Sequence, residues 1–272
     1  MDARGVGHRA MASNLSDIAA MGARPVLATV ALGVAAGTSE EWILECYRGM
    51  HALASEYGTK IAGGDIVRAP ALLLSITVVG EVSRSRLRRR DGGRAGDVLA
   101  LTGPLGASRA GLELMRRSLD IEASARESAL RAFNTPAPRV AEGRWLAASS
   151  HVHAMMDCSD GLSTDAGRLA VASGLGATIV AIPTHDAAKA VAEALGEDGR
   201  TYALDGGEDF ELIVAVAPRA FAHLARRFAL HFGRPLISIG KLDKASGLRL
   251  HETAQPEREL VPAGWDHLRY YG

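Results

Sequence analysis

Val152-His153-Ala154-Met155-Met156-Asp157-Cys158-Ser159-Asp160-Gly161-Leu162 is a strand signal running straight into an acidic turn. The first five residues suit a strand, and the next five place two carboxylates in a Ser/Gly turn. Further strand signals occur at Val98–Thr102, Ala177–Ile182, Leu212–Val216 and Leu236–Ile239, with helical patterns between most of them. That alternation predicts a layered α+β or α/β domain. A helix is expected over Leu105–Met115, and Asn134-Thr135-Pro136-Ala137-Pro138 reads as a break between two helices.

Upstream, a short buried helix is expected around Asn14–Met21, closed by Gly22 and Pro25, and Val26–Leu32 reads as a strand. Ser39 followed by Glu40 and Glu41 is an N-cap with a dipole-favoured first turn. The helix it opens keeps helical spacing from Ile43 to Tyr57, with Gly58 as its left-handed stop. Leu72–Val82 is a long strand candidate. From Arg84 to Arg94 the chain turns basic and Gly-containing, which marks a solvated linker and a boundary between residues 1–93 and 94–272.

Composition narrows the class. With 272 residues and 47% hydrophobic content the chain can bury a real core, and 31 basic against 31 acidic residues give no polyanion-binding balance. No nucleic-acid partner and no membrane span are expected, since the apolar stretches stop well short of bilayer thickness. Cys46 and Cys158 cannot build a disulfide framework, and no signal peptide is visible, so a reducing cytoplasm is the expected setting.

Four clusters share a format, a carboxylate in or beside a Gly/Ser turn: Ser16-Asp17, Gly63-Gly64-Asp65, Asp157-Cys158-Ser159-Asp160-Gly161 and Asp205-Gly206-Gly207-Glu208-Asp209. Backbone N–H groups in such turns can approach phosphate, and carboxylates can hold a hard cation through oxygen. Each cluster alone is also an ordinary turn or cap. The usual nucleotide, zinc and serine-hydrolase signatures are absent. His151 and His153 lack further spaced ligands and read as scaffold, the arginine run lacks interleaved aromatics, and Cys158 reads as packing.

Taken in order, Asn14-Leu15-Ser16-Asp17-Ile18-Ala19-Ala20-Met21-Gly22-Ala23, Gly63-Gly64-Asp65, Asp157-Cys158-Ser159-Asp160-Gly161-Leu162 and Gly206-Gly207-Glu208-Asp209-Phe210-Glu211-Leu212 resemble the thiamine-monophosphate kinase family, from His8 to Gly264-Trp265-Asp266-His267. The resemblance implies the two-domain α+β fold of the aminoimidazole ribonucleotide synthetase superfamily and ATP-dependent phosphorylation of thiamine monophosphate. It implies magnesium held by Asp17, Asp65, Asp157 and Asp160, and ATP contacts from Gly64, Asp65, Arg90 and Ser159. Glu208 and Trp265 resemble the thiamine-side contacts, and a homodimer is implied where the N-terminal domain is complete. The family's pattern also includes a preceding segment with a Gly-Asp-Asp turn, further metal ligands and a substrate histidine. This sequence does not contain it, so the N-terminal domain is expected to be incomplete. The competing classes are a non-catalytic nucleotide-binding homologue of this fold and an ATP-using superfamily member acting on another substrate.

The chemistry agrees with a site rich in aspartate and lacking a catalytic base. A phosphate monoester has a second pKa near ~6, so at neutral pH it is already an anionic nucleophile. The obstacle is repulsion between two phosphate groups, which cations held by carboxylates would relieve while aligning direct in-line transfer.

Overall fold

The structure is a computed structural model that describes residues 1–252 and 256–264. In chain order the elements are α1 (Ala3–Ala20), β1 (Arg24–Val34), α2 (Glu40–Glu56), β2 (Lys60–Arg68), β3 (Leu73–Glu81), β4 (Val98–Leu101), α3 (Ala107–Arg116), α4 (Ala123–Asn134), α5 (Val140–Ala147) and β5 (Val152–Asp157). They continue with α6 (Leu162–Ala172), β6 (Gly176–Ile179), α7 (Asp186–Leu195), α8 (Gly199–Asp205), β7 (Leu212–Val216), α9 (Pro218–Phe232), β8 (Ile237–Asp243), β9 (Leu248–Leu250) and β10 (Arg258–Glu259).

These strands form two sheets. A three-stranded sheet has the order β2-β1-β3, with β2 parallel and β3 antiparallel to β1. A seven-stranded sheet has the order β10-β9-β6-β8-β4-β7-β5. Strand β7, Leu-Ile-Val-Ala-Val, is buried at every position, as expected of an inner strand covered on both faces. No described helix is long and apolar enough to cross a membrane.

Helix α1 joins the two sheets. Its Met11, Leu15 and Ala19 share one core with Ala28 and Val30 of β1, Met50 and Leu53 of α2, and Met155, Leu212 and Val214 of the large sheet. Removing the Leu15 side chain to alanine, at 0% exposure, should cost about 2–5 kcal/mol. The crossing of α1 and α2 depends on small residues. A side chain at Gly7 would collide with the Cys46 carbonyl, and one at Gly49 with the Arg4 carbonyl, so the two backbones touch. That contact explains why α1 runs for 18 residues rather than the short helix expected: tertiary packing overrides the poor helix propensity of Gly5 and Gly7.

Most expected strands and helices form near their predicted positions, and Ser39 caps α2 by accepting from the Trp42 N–H at 3.2 Å. The basic segment 84–94 carries no regular element, but it is not a solvated linker throughout. Arg88 is 8% exposed and donates to the carbonyls of Ser85, Leu87 and Ser149, while the Gly93 N–H donates to Ser173 Oγ. This segment is packed against the large sheet and α6 by its own hydrogen bonds.

Candidate active site at the α1 and β5 junction

The third acidic cluster sits where the sequence places it, at the end of β5. Its partner is the fourth. Asp157 of β5 pairs with Leu212 of β7 across the antiparallel ladder, so the turn after β5 and the loop before β7 emerge side by side from the same sheet end. They are stitched together: the Glu208 N–H donates to the Ser159 carbonyl at 2.7 Å, the Phe210 N–H to the Cys158 carbonyl at 3.0 Å, and the Cys158 N–H to the Glu211 carbonyl at 2.7 Å. Glu208 and Phe210 adopt φ of +59° and +53°, a left-handed conformation that non-glycine residues rarely hold without support.

These bonds change the expected chemistry of the turns. The N–H groups of Ser159 and Asp160 both donate to Asp165 Oδ2, at 2.9 and 2.8 Å, from within the first turn of α6. At Cys158, Ser159, Asp160, Glu208 and Phe210 the backbone donors are therefore engaged within the protein and do not form an open phosphate cradle. Several carboxylates are also structural. Asp209 caps α3 by accepting from the N–H groups of Gly106 and Ser108, and Asp205 accepts from Ser163 Oγ at 2.6 Å. Burial pushes the Asp209 carboxyl up to about 7 against those backbone donors.

The remaining acidic chemistry faces a cavity of about 600 Å³ lined by Asp17, Arg89, Arg90, Asp91, Met155 and Asp157 among others. Asp157, 7% exposed, accepts from Ser16 Oγ at 2.7 Å, a contact that pins α1 to β5. Burial pushes the Asp157 carboxyl up, opposed by the Ser16 bond and reinforced by the charge of Asp160. Desolvation and the neighbouring Asp157 push Asp17, which keeps part of its surface in solvent, up to about 6. Arg90 lines the same cavity and holds its own place by accepting, at its carbonyl, from Ser173 Oγ.

The other expected residues lie differently. Asp160 is ion-paired with Arg168, which also reaches Asp165 at 3.0 Å. Glu208 is ion-paired with Arg9 of α1. Gly63-Gly64-Asp65 is not a turn but the middle of strand β2, where Gly64 faces Val30 and Asp65 faces Ala31 of β1. Any side chain at Gly64 would collide with the Val30 backbone, so the glycine serves close strand approach. Asp65 is exposed on that edge strand and does not line the cavity. Ser16-Asp17 lies near the C-terminal end of α1, within the helix expected around Asn14–Met21. Among the described residues no group of three or more His, Cys, Asp or Glu side chains is gathered as a metal site would need. Trp265 lies outside the described residues. His153 Nδ1 donates to Asp97 Oδ2 at 2.8 Å as scaffold, and Cys158 is fully buried with its thiol pushed well up by burial.

Sequence reading missed Asp165, Ser16, Arg9 and Arg168, the groups that hold the candidate residues in place. Asp165 carried a readable sign, an acidic residue in the first turn of a helix. Arg9 and Glu208 are 199 residues apart, and no local pattern connects them. Also missed was the ion network beneath the loop, where Glu211 accepts from Arg139 at 2.7 Å, Arg234 at 2.5 Å and Thr102 at 2.6 Å. Burial would raise the Glu211 carboxyl, but the two guanidiniums outweigh it and hold it below the usual range.

The chain matches the family described as AIR synthase related protein, N-terminal domain, over residues 1–82, and its C-terminal domain over residues 94–251. The thiamine-monophosphate kinase of Rhodopirellula baltica is 36% identical over 265 residues, covering 96% of this chain and 76% of that protein. The crystal structure of thiamine-monophosphate kinase from Stenotrophomonas maltophilia superposes with a TM-score of 0.83 at 35% identity, covering 94% of this chain and 80% of that one. A structure described as AaThiL complexed with AMPPCP and TMP gives a TM-score of 0.85 at 28% identity, covering 98% of this chain and 81% of that one. With its two-sheet α+β fold and this extent of identity, the chain belongs to the thiamine-monophosphate kinase family of AIR synthase related proteins.

Proposed function

We propose that this chain phosphorylates thiamine monophosphate with ATP, giving thiamine diphosphate and ADP by direct in-line transfer. The observation that carries the reading is the Asp17–Asp157 pair facing Arg90 across one cavity, in a chain whose relatives bear that activity in their names. The described relative with AMPPCP and TMP supports the same two ligand classes here. No side chain is needed as a general base, because the attacking phosphate oxygen is already anionic at neutral pH.

Magnesium fits the donor chemistry of this pair. Carboxylate oxygens are the ligands a hard divalent cation takes, and Asp17 and Asp157 bring two of them to the lining of one cavity. Asp17 and Asp157 would hold it, with Asp160 contributing if it releases Arg168. When bound, magnesium would offset the repulsion between the two phosphate groups. Arg90 would meet ATP at the cavity, Ser159, Gly64 and Asp65 would meet it from outside that cavity's lining, and Glu208 and Trp265 would meet the thiamine portion. Residues 1–93 would form the nucleotide and dimerisation domain, and residues 94–272 the domain that completes the site.

A homodimer belongs to the same proposal. Ile66, Val67 and Leu73, at 57, 52 and 62% exposure, leave apolar surface on the three-stranded sheet, which a second copy would cover. The balanced charge argues against a nucleic-acid partner, and two buried free cysteines suit the cytoplasm. The test is a coupled ADP-release assay with ATP, magnesium and thiamine monophosphate, with light scattering for mass. Thiamine diphosphate formation is expected; turnover of ATP without it would point to the alternative-substrate class, and no turnover at all to the non-catalytic one.

A further inference from the structure

Helix α1 touches both ends of the candidate site. Arg9 and Ser16 are seven residues apart, about two helical turns, so they share a face roughly 10 Å apart. Ser16 holds Asp157 at the acidic cavity. Arg9 holds Glu208 and also donates to the Phe133 carbonyl in the last turn of α4, with its guanidinium 4.0 Å over the Phe133 ring. The Arg9 side chain is 15% exposed and Glu208 50% exposed, so the carboxylate looks outward from a largely buried anchor. Among the described residues Arg9 is the ion-pair partner of Glu208. The loop presenting Glu208 is held in left-handed conformation at two non-glycine positions, and its backbone bonds fix Ser159 and Cys158 rather than the Glu208 side chain.

We propose that Arg9 is a positioning residue: by anchoring the Glu208 carboxylate to α1, the helix whose Ser16 holds Asp157, it fixes the thiamine-side carboxylate relative to the Asp17–Asp157 cavity. This rests on Glu208 meeting the thiamine portion, as proposed above. The chemistry is consistent. A carboxylate presented to a cationic heterocycle must be held in one orientation, and a largely buried bridging guanidinium does that while taking one carboxylate oxygen. A purely structural tether would stabilise α4 against α1 without regard to substrate.

The experiment compares the unsubstituted chain with Arg9→Lys, Arg9→Ala, Glu208→Gln and the Arg9→Ala/Glu208→Gln double variant. Calorimetry with thiamine monophosphate and with ATP is combined with steady-state kinetics and thermal melts. Arg9→Ala should weaken thiamine monophosphate binding and raise its KM about tenfold while leaving ATP binding within about twofold. Arg9→Lys, which keeps the charge and loses the bridge, should show a smaller loss in the same direction with little change in Tm. The double variant should be no worse than its weaker-binding single parent, because the two residues act as one unit. Thiamine monophosphate binding unchanged in both Arg9 variants overturns the inference alone, as do equal losses for both ligands or strictly additive effects. Should Arg9→Ala fail to fold, Arg9→Lys decides by the same criterion. No binding of thiamine monophosphate by the unsubstituted chain removes the function and this inference together.

Discussion

Strands β2 and β5 each carry an aspartate proposed to serve phosphate chemistry, yet their surroundings are opposite. β2 is an edge strand exposed at all but one of its positions, whereas β5 is buried at all but one and is covered by α1. Asp65 makes a hydrogen bond with the neighbouring Ile66 N–H, while Asp157 is gripped by Ser16 from 141 residues away and pushed toward protonation by burial. The same residue type is thus a solvated contact in one sheet and a preorganised charge in the other. Electrostatic preorganisation costs folding stability at the second place and nothing at the first.

The comparison can be broken by exchanging each aspartate for asparagine. Asp157→Asn should lower turnover by about 100-fold or more while leaving Tm unchanged or higher, because it removes a buried charge and keeps an oxygen for Ser16. Asp65→Asn should lower turnover by only about tenfold with no change in Tm. Equal losses, or a fall in Tm for Asp157→Asn, would show that burial is not what separates the two. Kinetic assays and thermal melts on both variants decide it.

A second test separates structural burial from functional burial within the large sheet. Glu211 is buried like Asp157, but it is fully compensated by Arg139 and Arg234. Glu211→Ala should lower stability by roughly 3–5 kcal/mol, since it leaves two largely buried guanidiniums with only the longer contacts to Glu142 at 3.8 and 3.6 Å. Denaturant unfolding measures this. A loss below about 1 kcal/mol would mean that water replaces the carboxylate there.

The smallest expected effect sharpens the electrostatic argument. Asp17 is pushed up to about 6, so without cations the folded form binds its proton more tightly than the unfolded chain does. Its contribution therefore becomes less favourable as pH rises from about 4 to about 6 and is constant above that range. Asp17→Asn should raise Tm by a degree or two at pH 7.5 and leave it unchanged at pH 4. Added magnesium should raise the Tm of the unsubstituted chain more at pH 7.5 than at pH 5.5, where the carboxyl holds its proton. Differential scanning calorimetry at the two pH values, with and without magnesium, tests both signs.

Sequence alone made five of the seven strands of the large sheet, the Ser39 cap and the acidic turn after β5 legible, because each depends on local periodicity or turn chemistry, and it missed the short strands β9 and β10. It misplaced Gly63-Gly64-Asp65 as a turn and made the helix carrying Ser16-Asp17 too short for the same reason. Glycine usually signals a bend, whereas here Gly64 permits close pairing with β1, and α1 is helical because α2 and both sheets pack on it. Likewise Asp209 and Asp205 were indistinguishable in sequence from cation ligands, but their acceptor capacity is taken up by α3 and Ser163. What local reading cannot supply is which carboxylates are already partnered. That depends on donors far away along the chain.

The placement of α1 has a kinetic consequence. Its contacts with Asp157 and Glu208 span 141 and 199 residues, so the polar face of α1 finds its partners only once segments far along the chain are in place. Long-separation contacts are slow to form because the loop-closure entropy precedes their reward. On refolding, far-ultraviolet signal should therefore return before ligand binding does, and the interval between them reports the docking of α1.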